Sequence, residues 1–369
     1  MGEERSEVIM LSLVYFLLVL GVLIMVHELG HMFAARRVGV KVERFSFGFG
    51  PKIFSFKAKE TEYLISLIPL GGYVKLAGDD PSEAKGNPWE YSSKSIFDRS
   101  KIIFAGPLLN YVLAFLIFSF VFMFGSPTLT TGVGALLKDY PAEKSGLAVG
   151  DVVTAVDGKK VEYWEDMTEM IRKRTDGAVM LTVVRGPKTM DISVVPSVRR
   201  IKDIFGKEVS IAMVGIAPSE KITKVRYGIV DSFAMGFKKL MQLTYMTYKA
   251  IWSIITGSVS VKESMTGPIG IFMITGKAAE LGFIYIFHLM GILSASLAIF
   301  NLLPFPVLDG GHILFLALEK LRGRPLSVKT QETITNIGVT ALILLTVFIF
   351  YSDMLKFGVF SKIGGLFKK

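Results

Sequence analysis

The segment Val26-His27-Glu28-Leu29-Gly30-His31 lies at the end of an apolar run, about 8–35, that is long enough to cross a bilayer. This pairing limits the chain more than any other feature. In a helix, His27 and His31 are four positions apart and share a face. Two imidazoles at that spacing can hold one Zn²⁺, and the glutamate between them can act as a general base. Charged side chains at membrane depth cost about 2.5–3.5 kcal/mol each on insertion scales, which selects against chance matches there. A third candidate metal ligand comes much later, at Asp309.

Composition agrees with a membrane protein. Of 369 residues, 51% are hydrophobic, and the mean hydropathy is +0.49. A soluble enzyme of this length is rarely so apolar. There is no cysteine, which excludes disulfides, thiolate metal sites and a cysteine nucleophile. Any metal must therefore be held by His, Asp or Glu. The net charge of +10 reads as basic cytoplasmic loops and contact with anionic lipid. No nucleic-acid recognition motif is present, and no nucleic-acid partner is expected.

The expected fold is a polytopic α-helical membrane protein with about four transmembrane helices, a membrane-dipping β-hairpin or sheet, and one inserted PDZ-like α+β domain. Residues 1–126 hold the first two spans and, at about 45–80, a membrane-associated β region on the cytoplasmic side. Arg36 and Arg37 follow the first span directly, a positive-inside signature that places the His27/His31 end near the cytoplasm. The Gly-rich stretch 45–51 and the strand-like stretch 62–68, followed by Gly71-Gly72-Tyr73-Val74-Lys75-Leu76, read as paired strands. Such backbone is tolerated at membrane depth where protein or a watery cavity covers it. A strand beside a metal site can pair with an extended peptide. In the second span, about 100–124, Gly106 allows close helix packing, Pro107 can kink the helix, and Asn110 needs a polar partner.

Charges and turns return over 127–198. Ala142, Gly146, Leu147, Gly150 and Asp151 carry the A-x-x-x-G-L-x-x-G-D pattern, which resembles PDZ domains of the bacterial protease type. Such domains accept peptide ends by strand addition. One copy is seen, with no second repeat in 199–225. Residues 199–281 are expected to be a linker and an amphipathic helix on the membrane surface, about 227–258. Residues 282–369 hold spans three and four. Between them, Pro304, Pro306 and the pair Gly310-Gly311 interrupt the helix around Asn301, Asp309 and His312. A basic loop with Lys320, Arg322, Arg324 and Lys329 follows, and the tail carries Lys356, Lys362, Lys368 and Lys369. Four spans put that tail outside, against the positive-inside tendency. His288 and His312 read as packing residues.

Taken in order, the motifs His27-Glu28-Leu29-Gly30-His31, Gly71-Gly72-Tyr73-Val74-Lys75, Phe104-Ala105-Gly106-Pro107, the PDZ-like segment and Asn301-Leu302-Leu303-Pro304-x-Pro306-x-x-Asp309-Gly310-Gly311-His312 resemble the site-2 protease family of intramembrane zinc metalloproteases. The resemblance covers nearly the whole chain, in the single-PDZ form. It implies zinc ligation by His27, His31 and Asp309, Glu28 as catalytic base, and a substrate or oxyanion role for Asn301. It also implies substrate contact by Gly71, Gly72, Tyr73 and Val74. The implied substrates are single-pass membrane proteins such as anti-sigma factors or signal-peptide remnants, cut within the bilayer of a bacterial inner membrane. The PDZ-like domain would face the extracytoplasmic side and there meet peptide ends, or act as a size filter. Two other functions fit some of these residues: a membrane metal-ion transporter, and a non-catalytic adaptor that uses only the PDZ-like groove.

Overall fold

The computed structural model describes residues 2–358, apart from 81, 175, 204 and 261–264. Lys362, Lys368 and Lys369 lie outside the described residues. Among the described residues, four helices are long and apolar enough to cross a membrane: Ile9–Arg37, Ile96–Phe124, Phe283–Asn301 and Val328–Lys356. The chain is thus a multi-pass membrane protein, as the hydropathy predicted. It divides into two compact units, one of 1–121, 230–248 and 261–369, the other of 122–229 and 249–260.

In the first unit, α1 (Gly2–Arg37) and α2 (Ile96–Phe124) cross at small residues. A Cβ on Gly30 would lie 2.3 Å from the Ala105 carbonyl oxygen, so the backbones approach as only glycine permits. At the other end of the pair, Val19 and Leu23 share one buried apolar cluster with Ile117 and Val121. The two helices therefore run antiparallel.

Two long strands follow α1: β1 (Val42–Ala58) and β2 (Thr61–Leu76). The register shows that they fold back on themselves. Arg44, Phe45, Ser46 and Phe47 each pair twice, with Lys75 to Gly72 on one side and Glu62 to Ile65 on the other. Gly72–Leu76 thereby forms an outer edge, paired on one side only among the described residues. Gly48 and Gly50, at φ +92° and +85°, turn the strand where other residues would be strained. The tip exposes Phe49, Ile53, Phe54, Phe56, Leu67 and Ile68, an apolar face of the kind that lies against lipid. Arg36 ties the sheet to α1 by donating to Thr61 Oγ1 at 2.9 Å and to the Tyr63 hydroxyl at 2.8 Å.

The second unit is the inserted PDZ-like domain. It holds β3 (Ser126–Leu129), β4 (Val133–Leu136), α3 (Pro141–Lys144), β5 (Val152–Val156), β6 (Lys159–Lys160), α4 (Trp164–Arg172), β7 (Val179–Arg185) and β8 (Lys188–Val194). A four-stranded antiparallel sheet runs β6-β5-β7-β8. Met167 and Ile171, one turn apart on α4, bury against Val153, Val156, Leu181 and Val183, as an amphipathic helix should. The glycine-aspartate signature has a structural reason. Asp151 is fully buried, accepts from the Ala148 amide at 2.9 Å, and binds Arg185 through Nε and Nη2 at 2.6 and 2.8 Å. Arg185 also donates to the Gly146 carbonyl, so one carboxylate staples the whole turn.

The stretch beyond residue 198 is more ordered than a linker. β9 (Ser197–Lys202) and β10 (Glu208–Met213) form a hairpin. β11 (Ile216–Pro218) and β12 (Ile222–Val225) pair back onto β4 and β3. These last two ladders join segments about eighty to a hundred positions apart in sequence, so no local pattern announces them. The helix expected at about 227–258 is α5 (Ile229–Ile255). It is not one of the four candidate spans. Three further helices return the chain to the first unit, α6 (Pro268–Leu281), α7 (Phe283–Asn301) and α8 (Asp309–Arg322), and α9 (Val328–Lys356) ends it.

Candidate metal centre

His27 and His31 lie on the last turns of α1, with ring planes nearly perpendicular at 84° and centroids 4.7 Å apart. Their Nε2 atoms are 3.1 Å apart. Asp309, the first residue of α8, sends Oδ2 to within 3.2 Å of His27 Nε2 and 3.7 Å of His31 Nε2. His27, His31 and Asp309 form the only such cluster of potential metal-binding side chains found among the described residues.

Two of the three side chains, His31 and Asp309, are held from behind. His31 Nδ1 lies 2.9 Å from the Ile102 carbonyl oxygen. A carbonyl only accepts, so Nδ1 carries the proton and Nε2 keeps its lone pair for the cluster. On the opposite side of the ring, a Cβ on Gly106 would lie 2.2 Å from His31 Nε2. The Phe104-Ala105-Gly106-Pro107 motif is therefore a cradle for that imidazole. Asp309 is placed by the loop before it. Cβ atoms on Gly310 and Gly311 would meet the Leu303 and Phe305 carbonyl oxygens at 2.2 and 2.1 Å. The two glycines let the proline-broken loop fold tightly under the start of α8. The helix N-terminus itself favours a carboxylate. At the far end of α8, the Glu319 carboxylate accepts from Arg99 Nη1 and Nη2, at 3.1 and 2.5 Å, which fixes α8 to α2.

These donors fit a metal ion. Donor atoms on a tetrahedral zinc, each about 2.0–2.1 Å from it, lie about 3.3 Å from one another. The observed separations of 3.1, 3.2 and 3.7 Å bracket that value. Asp309 Oδ2 is buried and has no hydrogen-bond partner. His31 Nε2 and Asp309 Oδ2 are convergent acceptors that repel one another unless a cation or a proton is shared.

Glu28 is half-buried beside this cluster. Its carboxylate interacts with the Val74 backbone amide. A Cβ on Gly72 would lie 3.3 Å from Glu28 Cγ and 2.8 Å from the Ser46 carbonyl oxygen. Gly72 and Val74 thus bring the outer strand edge to Glu28. Gly71 and Tyr73 contact Phe49 instead. A Cβ on Gly71 would overlap the Phe49 ring, and Tyr73 stacks on it at 6.4 Å between centroids. Asn301 is the half-buried last residue of α7, eight positions before Asp309.

His312 is exposed, with its ring edge-on to Phe315, and is not in the cluster. His288 packs against Phe118 at 5.8 Å. The His288 contact agrees with a packing role, whereas His312 lies at the surface. The Ile102 carbonyl was not legible beforehand, because a backbone acceptor leaves no mark in sequence. Arg99 and Glu319 were missed because they are 220 positions apart.

The sequence profile of Peptidase family M50 matches residues 15–345. The zinc metalloprotease RasP of Oceanobacillus iheyensis is 29% identical and aligns over 94% of this chain and 99% of its own. The regulator of sigma-W protease RasP of Bacillus subtilis is 28% identical, over 93% of this chain and 98% of its own. Among solved structures, the PDZ domain of an SdrC-like protein from Listeria innocua is 21% identical with a TM-score of 0.20, covering 25% of this chain and 96% of that one. With a family profile matched over most of its length, the chain belongs to peptidase family M50.

Proposed function

We propose that this chain is a zinc-dependent endopeptidase that cuts membrane-anchored proteins within a transmembrane segment. The observation that carries the reading is the convergence of His27, His31 and Asp309 beside Glu28, at the edge of a strand. The names of the relatives, zinc metalloprotease and regulator of sigma-W protease, support the choice of metal and chemistry. A zinc ion held by the three side chains supplies Lewis acidity to a water molecule and to the scissile carbonyl.

The chain's own residues do the rest. Glu28 takes the proton of the attacking water and passes it to the leaving nitrogen. The Ile102 carbonyl fixes the His31 ring in the tautomer that leaves Nε2 free. The edge Gly72–Leu76 takes the substrate as an added antiparallel strand. That pairing requires the substrate helix to unwind locally, and it presents an extended carbonyl beside Glu28. Asn301 is assigned to the substrate or to the developing oxyanion.

Arg36 and Arg37 at the end of the first span support a site toward the cytoplasmic face of a bacterial inner membrane. The inserted domain then lies on the extracytoplasmic side and meets peptide ends or screens substrate size. Anti-sigma factors and signal-peptide remnants have the required form. A metal-ion transporter would need further ligating clusters along a path, and among the described residues there is only one.

The test compares metal content and cleavage of a model transmembrane peptide in detergent. Chelation, or His27→Ala, should remove both zinc and cleavage, and added zinc should restore the chelated wild type alone. Full cleavage by metal-free protein would overturn the reading.

A further inference from the structure

Two side chains, His27 in the cluster and Asn110 on α2, have buried, unpartnered polar atoms. His27 Nδ1 makes no hydrogen bond, and neither Asn110 Oδ1 nor Asn110 Nδ2 makes one. His27 is 9% exposed and Asn110 0%. An orphaned buried polar atom costs about 1–3 kcal/mol, so such groups are retained where they serve something.

The helix pairing sets these groups at one level. His31 on α1 meets Ile102 and Gly106 on α2. Further along, Val19 and Leu23 join Ile117 and Val121. One turn back from His31 on α1 is His27, and one turn on from Gly106 along α2 is Asn110. A step of four residues keeps the same helix face. In an antiparallel pair, both steps go in the same direction, so His27 and Asn110 reach the same level of the contact. The backbone of Asn110 is pinned there, because Ser294 Oγ donates to its carbonyl at 2.7 Å.

We propose that the side-chain carbonyl of Asn110 accepts the Nδ1–H of His27, by rotation of the amide or through one water, and so presents His27 Nε2 to the metal. Asn110 is then a positioning residue, the side-chain counterpart of what the Ile102 carbonyl does for His31. Metal-bound histidines almost always donate their other ring N–H to an acceptor. Nδ1 of His27 has no other hydrogen-bond partner. An amide performs this role without adding a second carboxylate beside Asp309 at membrane depth.

The proposal rests on the metal reading above, and its test separates the two. Full-length wild type, Asn110→Leu and Asn110→Asp are titrated with zinc against a competing chelator. Asn110→Leu keeps the volume and loses the acceptor, so its zinc Kd should rise about 10–100-fold. Asn110→Asp keeps an acceptor and should stay within a few-fold of wild type. If wild type binds zinc and Asn110→Leu binds it equally well, this proposal falls and the metal reading stands. If wild type binds no zinc, both fall. Should Asn110→Leu fail to fold, histidine-¹⁵N spectra of metal-free wild type decide. Protonation of His27 at Nδ1 is expected, and protonation at Nε2 overturns the proposal.

Discussion

Gly106 and His31 are in contact so close that any side chain on the glycine would displace the imidazole: a Cβ there would sit 2.2 Å from Nε2. Gly106→Ala is a one-methyl change far from α1 in sequence. It should cost about 1–3 kcal/mol of stability through overpacking. It should weaken zinc binding far more than that cost suggests, because the atom displaced is itself a donor. Zinc titration of Gly106→Ala in detergent checks this, and wild-type affinity would contradict it.

Gly72 sets the distance between the strand edge and Glu28, since a Cβ placed on it would lie 3.3 Å from Glu28 Cγ. Gly72→Ala should push the edge away from the carboxylate while leaving His27, His31 and Asp309 in place. The expected outcome is unchanged zinc content with a fall in kcat of about 10²-fold, the order expected for an ångström-scale misplacement. Metal analysis beside peptide cleavage separates the two effects.

Arg99 and Glu319 are only 14% and 16% exposed and hold α8, and with it Asp309, against α2. Glu319→Gln should destabilise the protein by about 3 kcal/mol, the low end for breaking a buried pair, and speed zinc loss. Arg99→Glu combined with Glu319→Arg should recover part of both. Chelator-driven zinc release rates and thermal unfolding report the result.

In the inserted domain, the Arg185 guanidinium holds the Asp151 carboxyl below the usual carboxylate range. A lowered carboxylate pKa contributes stability that is complete above the unfolded value of about 3.9 and is lost as pH falls through the folded value. Amide hydrogen exchange at Ala148 and its neighbours should therefore quicken in acid. Asp151→Asn should remove that acid dependence and speed exchange at neutral pH.

Much of this architecture can be read in the sequence because its signals are local. The apolar runs mark the four spans, and spacing alone places His27 and His31 on one face. Asp309 stands out as a carboxylate between prolines and glycines. What could not be read depends on pairings between distant segments. The Ile102 carbonyl behind His31, the Arg99–Glu319 clamp and the strands Ile216–Pro218 and Ile222–Val225 each need the fold before they mean anything. Gly106 shows the boundary well: close packing was legible, but the partner it packs against was not. Asn110 was recognisable as a side chain in want of a partner, and only the level of the helix crossing suggests which one.

The most direct test of the account is Glu28→Gln beside wild type, each assayed for bound zinc and for cleavage of a transmembrane peptide. Glu28 lies next to the His27–His31–Asp309 cluster and is not one of its three side chains. The account predicts equal zinc content and loss of cleavage in the variant. Cleavage by Glu28→Gln at the wild-type rate would contradict it.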